Sequence, residues 1–166
     1  MSVERDTGLM GDVVLRPARP GEAASISALA MRSKAHWGYD KEFLAACEAD
    51  LTIDPAWCDG VRLIVAVGGE ELLGYSRVSG EAPDGELDGL FVDPRAIGTG
   101  LGGQLLRAAI ATARSLGMTR LGIDSDPGAE PFYLHAGAVR VGESPSTVIP
   151  GRMLPRLELS LISTAP

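Results

Sequence analysis

Residues 92–106 read V-D-P-R-A-I-G-T-G-L-G-G-Q-L-L, and four glycines, Gly98, Gly100, Gly102 and Gly103, crowd into six positions. A Pro precedes them and an apolar helical run follows. A helix start offers unpaired backbone N–H groups and the positive end of the helix dipole, so it is an anion site by construction. Glycines remove Cβ atoms and let several amides approach one phosphate. The loop therefore points to a phosphate-bearing ligand, and its place in the chain decides which.

Upstream, D-V-V-L-R-P (12–17) reads as a strand, and P-G-E-A-A-S-I-S-A-L-A-M-R-S-K-A (20–35) as a helix with Pro at its front. K-E-F-L-A-A-C-E-A-D-L (41–51) has Phe43, Leu44, Cys47 and Leu51 at helical spacing, which predicts a second helix. V-R-L-I-V-A-V (61–67), Gly68-Gly69 and E-E-L-L-G-Y-S-R-V (70–78) predict a β-hairpin. E-A-P-D-G is a turn, and E-L-D-G-L-F-V (86–92) is the strand that runs into the glycine loop. Downstream, 101–117 is a helix with Leu101, Leu105, Ala109, Ala113 and Leu116 on one face and Gly117 as its C-cap. R-L-G-I-D (120–124) is a strand, a short helix lies near 130–137, and A-V-R-V-G-E and R-L-E-L-S-L-I are the last two strands, joined by the loop G-E-S-P-S-T-V-I-P-G-R. The order is β-α-α-β-β-β-α-β-α-β-β, a mixed α/β domain over 12–163 behind a flexible N-terminal segment, 1–11.

A chain of 166 residues, 45% hydrophobic and 22% charged, has the composition of one globular domain. Its net charge of −7 tells against nucleic acid as a partner, because phosphate-backbone binding rests on clustered Lys and Arg. No apolar run approaches the ~18 residues of a membrane helix, and the N-terminus lacks the order of a secretory signal, so a cytoplasmic protein without membrane contact is the expectation. Cys47 and Cys58 have no metal spacing, and His36 and His135 lie far apart, so no metal is expected.

Three phosphate loops compete. A Walker loop needs G-x-x-x-x-G-K-[ST], which is absent. G-x-G-x-x-G fits Gly98, Gly100 and Gly103, with Asp124 at about the acidic position, but that motif opens a βαβ unit near the first strand, whereas here two helices and a hairpin come first. The third is a coenzyme A pyrophosphate loop. The chain resembles the GNAT-type N-acetyltransferases in element order, in this loop and in a second block. The loop of that family, [QR]-x-x-G-x-[GA], fits in two registers: Arg95-x-x-Gly98-x-Gly100, or one beginning at Ile97 that better keeps the distance from loop to helix. The second block, Asp126 to Ala138, is similar to N-x-x-A-x-x-x-Y-x-x-x-G-F, with Asp126 in place of Asn and Ala138 in place of Phe. S-K-x-x-W-G-Y early and P-G-R-x-L-P late resemble a bacterial subgroup of the family.

The resemblance implies a single-domain acyl-CoA N-acyltransferase fold: a mixed, mostly antiparallel sheet with one splayed strand pair, commonly dimeric. It implies acetyl-CoA as co-substrate and a primary amine, on a small molecule or peptide, as acceptor. Backbone of Leu90, Phe91 and Val92 would pair with the pantetheine arm. Ile97, Gly98, Thr99, Gly100, Leu101, Gly102 and Gly103 would present amides to the pyrophosphate, with Asp126, Ala129 and Phe132 completing the cofactor side. Tyr133 stands where the family's general acid is found; the other reading makes it a packed core aromatic. Strand alternation places Glu86 and Asp88 on one face with Leu90 and Val92, which suits Glu86 as a base and Asp88 as a substrate contact, or both as contacts to a cationic acceptor or a solvated strand end. His36, Trp37, Tyr39, Ser146 and Arg152 lie where the family binds acceptors. Trp37 and Tyr39 form an aromatic wall there or pack helices on the sheet, and Arg152 meets an acceptor carboxylate or a surface acid. Two other functions stay open: a CoA-binding sensor without catalysis, to which Ile97 in place of a basic residue is the pointer, and a dinucleotide-binding oxidoreductase.

Overall fold

A computed structural model describes residues 12–162; the expected N-terminal segment 1–11, and residue 163 of the expected domain, lie outside them. The strands are β1 (Val13–Pro17), β2 (Leu63–Gly68), β3 (Glu71–Glu81), β4 (Asp84–Val92), β5 (Arg120–Asp124), β6 (Val139–Pro145) and β7 (Met153–Ser160). The helices are α1 (Ala23–Ala35), α2 (Lys41–Leu51), α3 (Leu101–Ser115) and α4 (Glu130–His135). The described residues thus follow the order that the sequence predicts.

The strands form one sheet in the order β1-β2-β3-β4-β5-β7-β6. Every pair is antiparallel except β4 with β5, which run parallel and touch over only three residues, Asp84–Glu86 against Arg120–Gly122. Beyond that short ladder the two strands splay. The glycine loop thus opens a single parallel β4–α3–β5 crossover in an otherwise antiparallel sheet, not the extended parallel sheet of a dinucleotide domain.

One local device ends both splayed strands. Asp93-Pro94 follows β4 and Asp126-Pro127 closes the segment after β5; in each, the Asp carboxylate accepts from the amide two residues on, Arg95 N at 3.0 Å and Gly128 N at 3.0 Å. Proline fixes φ for the 3₁₀ turn and lacks the N–H that would go unpaired there. α3 stops as its sequence predicts: Gly117 takes φ +82° and the Met118 amide reaches back to the Ala113 carbonyl at 3.0 Å, a Schellman end.

α1 covers one sheet face through Ala23, Ile26, Leu29 and Ala30, which pack on Leu63, Val65 and Tyr75. α3 covers the other through Leu106, Ala109 and Ala113, which meet Val78, Leu87, Leu121, Ile123 and Leu157. Full burial of a leucine such as Leu105 or Leu121 contributes about 2 kcal/mol. Gly74 lets α3 come this close, since a Cβ there would sit 2.7 Å from Leu105 Cδ1.

Three expectations need correction. The helix predicted from 20 begins at Ala23, because Pro20–Glu22 form a 3₁₀ turn in which the Glu22 carboxylate accepts the Arg19 amide at 2.8 Å. The late loop is shorter than the sequence suggests: Ser144 pairs with Leu154 and Pro145 with Met153, prolines tolerated near a sheet edge. The face assignment of Glu86 also changes. Arg77 faces Gly89 and Val78 faces Leu87, so Asp88 is the extra residue of a β-bulge. The bulge resets the alternation: Leu87, Leu90 and Val92 pack toward α3, and Glu86 projects from the opposite face.

Candidate active site

The splay opens a cleft of about 540 Å³ that runs from the glycine loop, past the free edge of β4, to the α1–α2 connection and the β6–β7 loop. From Leu87 to Val92 the outer edge of β4 has no strand beside it, so its backbone groups face the cleft and can take an added extended chain. The opposite wall is Ile123, Asp124, Ser125 and Asp126 with Ala129, Phe132 and Tyr133 behind them.

At one end, Gly98 and Gly100 hold φ of +81° and +86°, a conformation that disfavours any Cβ, and Gly100 is the N-cap of α3. The amides of Gly98, Gly100, Leu101, Gly102 and Gly103 find no backbone acceptor among the described residues, so they point at whatever anion the loop receives. Thr99 is spent locally, its amide and hydroxyl both on the Ala96 carbonyl. The Ile97 side chain stays 42% exposed. Gly102 gives Phe132 its seat, with a ring carbon 3.5 Å from where a Cβ would be.

Arg95, the basic residue of the rejected register, is committed elsewhere. It bonds Asp93 through its amide and its guanidinium and reaches Glu71 through Nη1. Asp93 is 2% exposed and also accepts from Arg32 Nη2 at 3.1 Å. Burial alone would raise its pKa; the bonds from Arg95 and Arg32 outweigh that and hold it at about 2. Arg107 instead stands beside the loop, its Nη1 3.4 Å from a Cβ built on Gly103.

In the middle, Tyr133 lines the cleft at 7% exposure, edge-on to Phe132 at 5.1 Å. Desolvation pushes its pKa well above the usual phenol range. Its hydroxyl has no protein partner among the described residues, so the phenol of this cleft-lining residue keeps its O–H free.

The other end is a network of side chains. Asp126 Oδ2 accepts from the Tyr39 hydroxyl at 2.6 Å and from Lys34 Nζ at 2.9 Å, while Arg152 Nη2 donates to Tyr39 at 3.1 Å. Burial pushes the Asp126 pKa up, but the bonds from Tyr39 and Lys34 win and hold it below the usual range. Tyr39 and Phe43 stack at 4.2 Å, and Lys34 and Arg152 both lie over these rings. Thr147 donates to Asp50 at 2.5 Å and ties the β6–β7 loop to α2, while Ser146 caps that loop by accepting the Val148 and Ile149 amides.

A family model described as the acetyltransferase (GNAT) family matches residues 28–138, from α1 to the start of β6. The chain belongs to the acetyltransferase (GNAT) family. Solved structures agree on the fold. A GCN5-related N-acetyltransferase from Rhodopseudomonas palustris is 24% identical with a TM-score of 0.74, over 89% of this chain and 94% of that one. PaiA N-acetyltransferase from Thermoplasma acidophilum, in complex with coenzyme A, is 13% identical at 0.70, over 90% and 99%. YncA from Salmonella typhimurium, with acetyl-CoA, is 21% identical at 0.64, over 93% and 97%. No curated protein matches the chain.

Within this GNAT fold the residues singled out from sequence separate into groups. Leu90, Phe91, Val92, Ile97, Gly98, Gly100, Leu101, Gly102, Gly103, Asp126, Ala129, Phe132 and Tyr133 all line the cleft, as do Trp37, Asp88, Ser146 and Arg152. Thr99, His36, Tyr39 and Glu86 do not. His36 is edge-on to Trp37 at 5.7 Å, and Trp37 is 56% exposed at the rim. Tyr39 acts through Asp126 and Arg152. Asp126, expected on the cofactor side, is the hub of the far end.

The two strand carboxylates do not share one environment. Glu86 is held bidentately by Arg156, with Nη1 at 2.8 Å and Nη2 at 2.5 Å, directly over Gly122, where any side chain would collide with both. Asp88 is paired with Arg77, whose guanidinium lies 3.7 Å from the centre of the Trp57 ring. Lys34 lies inside the S-K-x-x-W-G-Y stretch read from sequence as acceptor-binding, though it was not singled out there; the contacts of Phe43, Asp50 and Arg156 had no local signal, and Arg107 lies one helical turn past Gly103.

Proposed function

We propose that the protein transfers an acetyl group from acetyl-CoA to a primary amine by direct attack in a ternary complex. The observation that carries this reading is the splay of β4 from β5, with a free strand edge, unpaired glycine-loop amides at one end and Tyr133 lining the gap with its hydroxyl unbonded. The residues suit the co-substrate: amides and the α3 N-terminus oppose a pyrophosphate, and the β4 edge offers hydrogen bonds to an amide-bearing arm. In place of a loop basic residue, Arg107 supplies positive charge from the next turn.

The ammonium loses one proton to water, the free amine's nitrogen bonds the thioester carbonyl carbon, and the adduct gives a second proton to water as it collapses to the amide. The C–S bond breaks, its electron pair stays on sulfur, and Tyr133 gives its proton to that sulfur before regaining one from solvent. The burial that keeps Tyr133 protonated is what such an acid requires. Glu86, engaged by Arg156 and off the cleft wall, fits a role in holding β4 to β5 better than that of a base touching the amine.

Acetyl-CoA should raise the melting temperature, NAD and ATP should not, and an amine panel should release thiol. Equal shifts with all three nucleotides would contradict the reading. A shift by acetyl-CoA without thiol from any amine would favour the CoA-binding sensor, for which Ile97 in place of a basic loop residue speaks.

A further inference from the structure

The acceptor end of the cleft contains a cation that the chain leaves partly unused. Arg152 has a side chain 23% exposed, and its Nη2 donates to Tyr39 at 3.1 Å and stands 3.9 Å from Asp126. Its Nε and Nη1 have no partner among the described residues, and Tyr39 takes only one of the two Nη2 hydrogens, so one fork, the second Nη2 hydrogen with its neighbouring N–H, is left. The guanidinium carbon lies 5.4 and 5.0 Å from the centres of the Tyr39 and Phe43 rings, which together with the Tyr39 hydroxyl confines the group and its free edge to this end of the cleft. Such an edge matches two oxygens of a carboxylate.

The acids around it are already engaged. Asp126 holds Lys34 at 2.9 Å, Asp124 holds Arg156 at 3.1 Å, Asp88 holds Arg77, and Asp50 accepts from Thr147 at 2.5 Å. Of these carboxylates only Asp50 lacks a cationic partner, so a polyammonium acceptor would find one unpaired acid on these walls. The rest of this end is apolar, lined by Trp37, Phe43, Leu51, Val148 and Leu154.

Resting on the acetyl-transfer reading above, we propose that the acceptor is an α-amino acid with an apolar side chain. Its carboxylate takes the free edge of Arg152, its side chain lies among the apolar residues of that end, and its amine faces the slot beside Tyr133. The α-nitrogen bonds the acetyl carbon as the C–S bond breaks. One amine proton goes to water when the free amine forms and another on collapse to the amide, while Tyr133 protonates the sulfur. Arg152 is thus a specificity-determining residue contributed by the β6–β7 loop, a segment beyond the part of the chain that the family model matches.

The test is thiol release by the full chain with acetyl-CoA and matched acceptors: leucine and phenylalanine, their carboxamides, and the amines that remain after loss of the carboxylate, with spermidine as a polycation. A charged hydrogen bond of this kind predicts kcat/KM roughly 10- to 100-fold higher for the amino acid than for its carboxamide. Arg152→Gln should raise KM for the amino acid by a similar factor at nearly constant kcat, change KM for the carboxamide by a much smaller factor, and be partly rescued by Arg152→Lys. A role confined to steadying Tyr39 and Asp126 would instead lower activity on all acceptors alike, and that result overturns the proposal. So does a carboxamide, a decarboxylated amine or spermidine used as well as the amino acid; acetyl transfer itself then stands. No thiol from any acceptor would overturn acetyl transfer and the inference together.

Discussion

The two ends of the cleft are built from different materials. The loop end is backbone: glycines at positive φ, a helix N-terminus and a strand edge, all contributed by residues 87–103. The acceptor end is side chains: Lys34 with Tyr39, Asp126 and Arg152 come from three separate segments and are joined by bonds spanning 87 to 113 residues of sequence. A backbone site binds what every substrate of an enzyme class shares and tolerates change around it. A side-chain network binds what distinguishes one acceptor from another and changes with each substitution.

The sharpest way to break this division is through the group between the two ends. Tyr133→Phe should lower kcat about 100-fold, the scale of losing a positioned acid, with acetyl-CoA affinity little changed; normal turnover in steady-state assays would remove Tyr133 from the acid role. Gly100→Val forces a branched side chain into the left-handed region at the α3 cap, a strain of about 1–3 kcal/mol. It should weaken acetyl-CoA binding about tenfold by calorimetry, whereas unchanged affinity would show that the loop does not hold the pyrophosphate. Asp126→Asn strips the charge from the hub of the far end and should raise acceptor KM several-fold while the acetyl-CoA Kd stays within a factor of about two. If the Kd moves instead, Asp126 belongs to the cofactor side.

How much of this was legible in the sequence follows the same division. α3, its Schellman end at Gly117 and β5 are set by residues close in sequence, and their local chemistry reads directly. The face of Glu86 was not legible, because a bulge at Asp88 moves every residue on one side of it to the other face without changing the pattern of residue types. Nor was the acceptor network. Lys34 and Asp126 are 92 residues apart, and nothing in either neighbourhood announces the other. Arg152 was visible as a polar residue in a late loop, but its free edge exists only because Tyr39, Phe43 and Asp126 orient it.

Two smaller effects concern the ionic cluster under the loop. The folded-state pKa of Asp93, about 2, lies below its unfolded value near 4, so its contribution is fully present above that value and is lost as pH falls from about 4 toward 2. The loss is about 2 kcal/mol, and Glu22, held by Arg16 and also at about 2, adds to the same acid limb. Melting curves should fall through that window and flatten in Asp93→Asn; an unchanged acid limb in the variant would mean that the cluster does not govern it. Arg95→Gln should change acetyl-CoA affinity by less than about twofold, since Arg95 is already spent on Asp93 and Glu71. A tenfold loss would restore the register that begins at Arg95.

The most direct test of the account is amide hydrogen exchange of the full chain with and without acetyl-CoA. The account predicts slowed exchange at Leu90–Val92 and at Gly98–Gly103, with 146–152 unchanged until an acceptor is added. Acetyl-CoA binding that leaves the β4 edge and the glycine loop exchanging as before would contradict it.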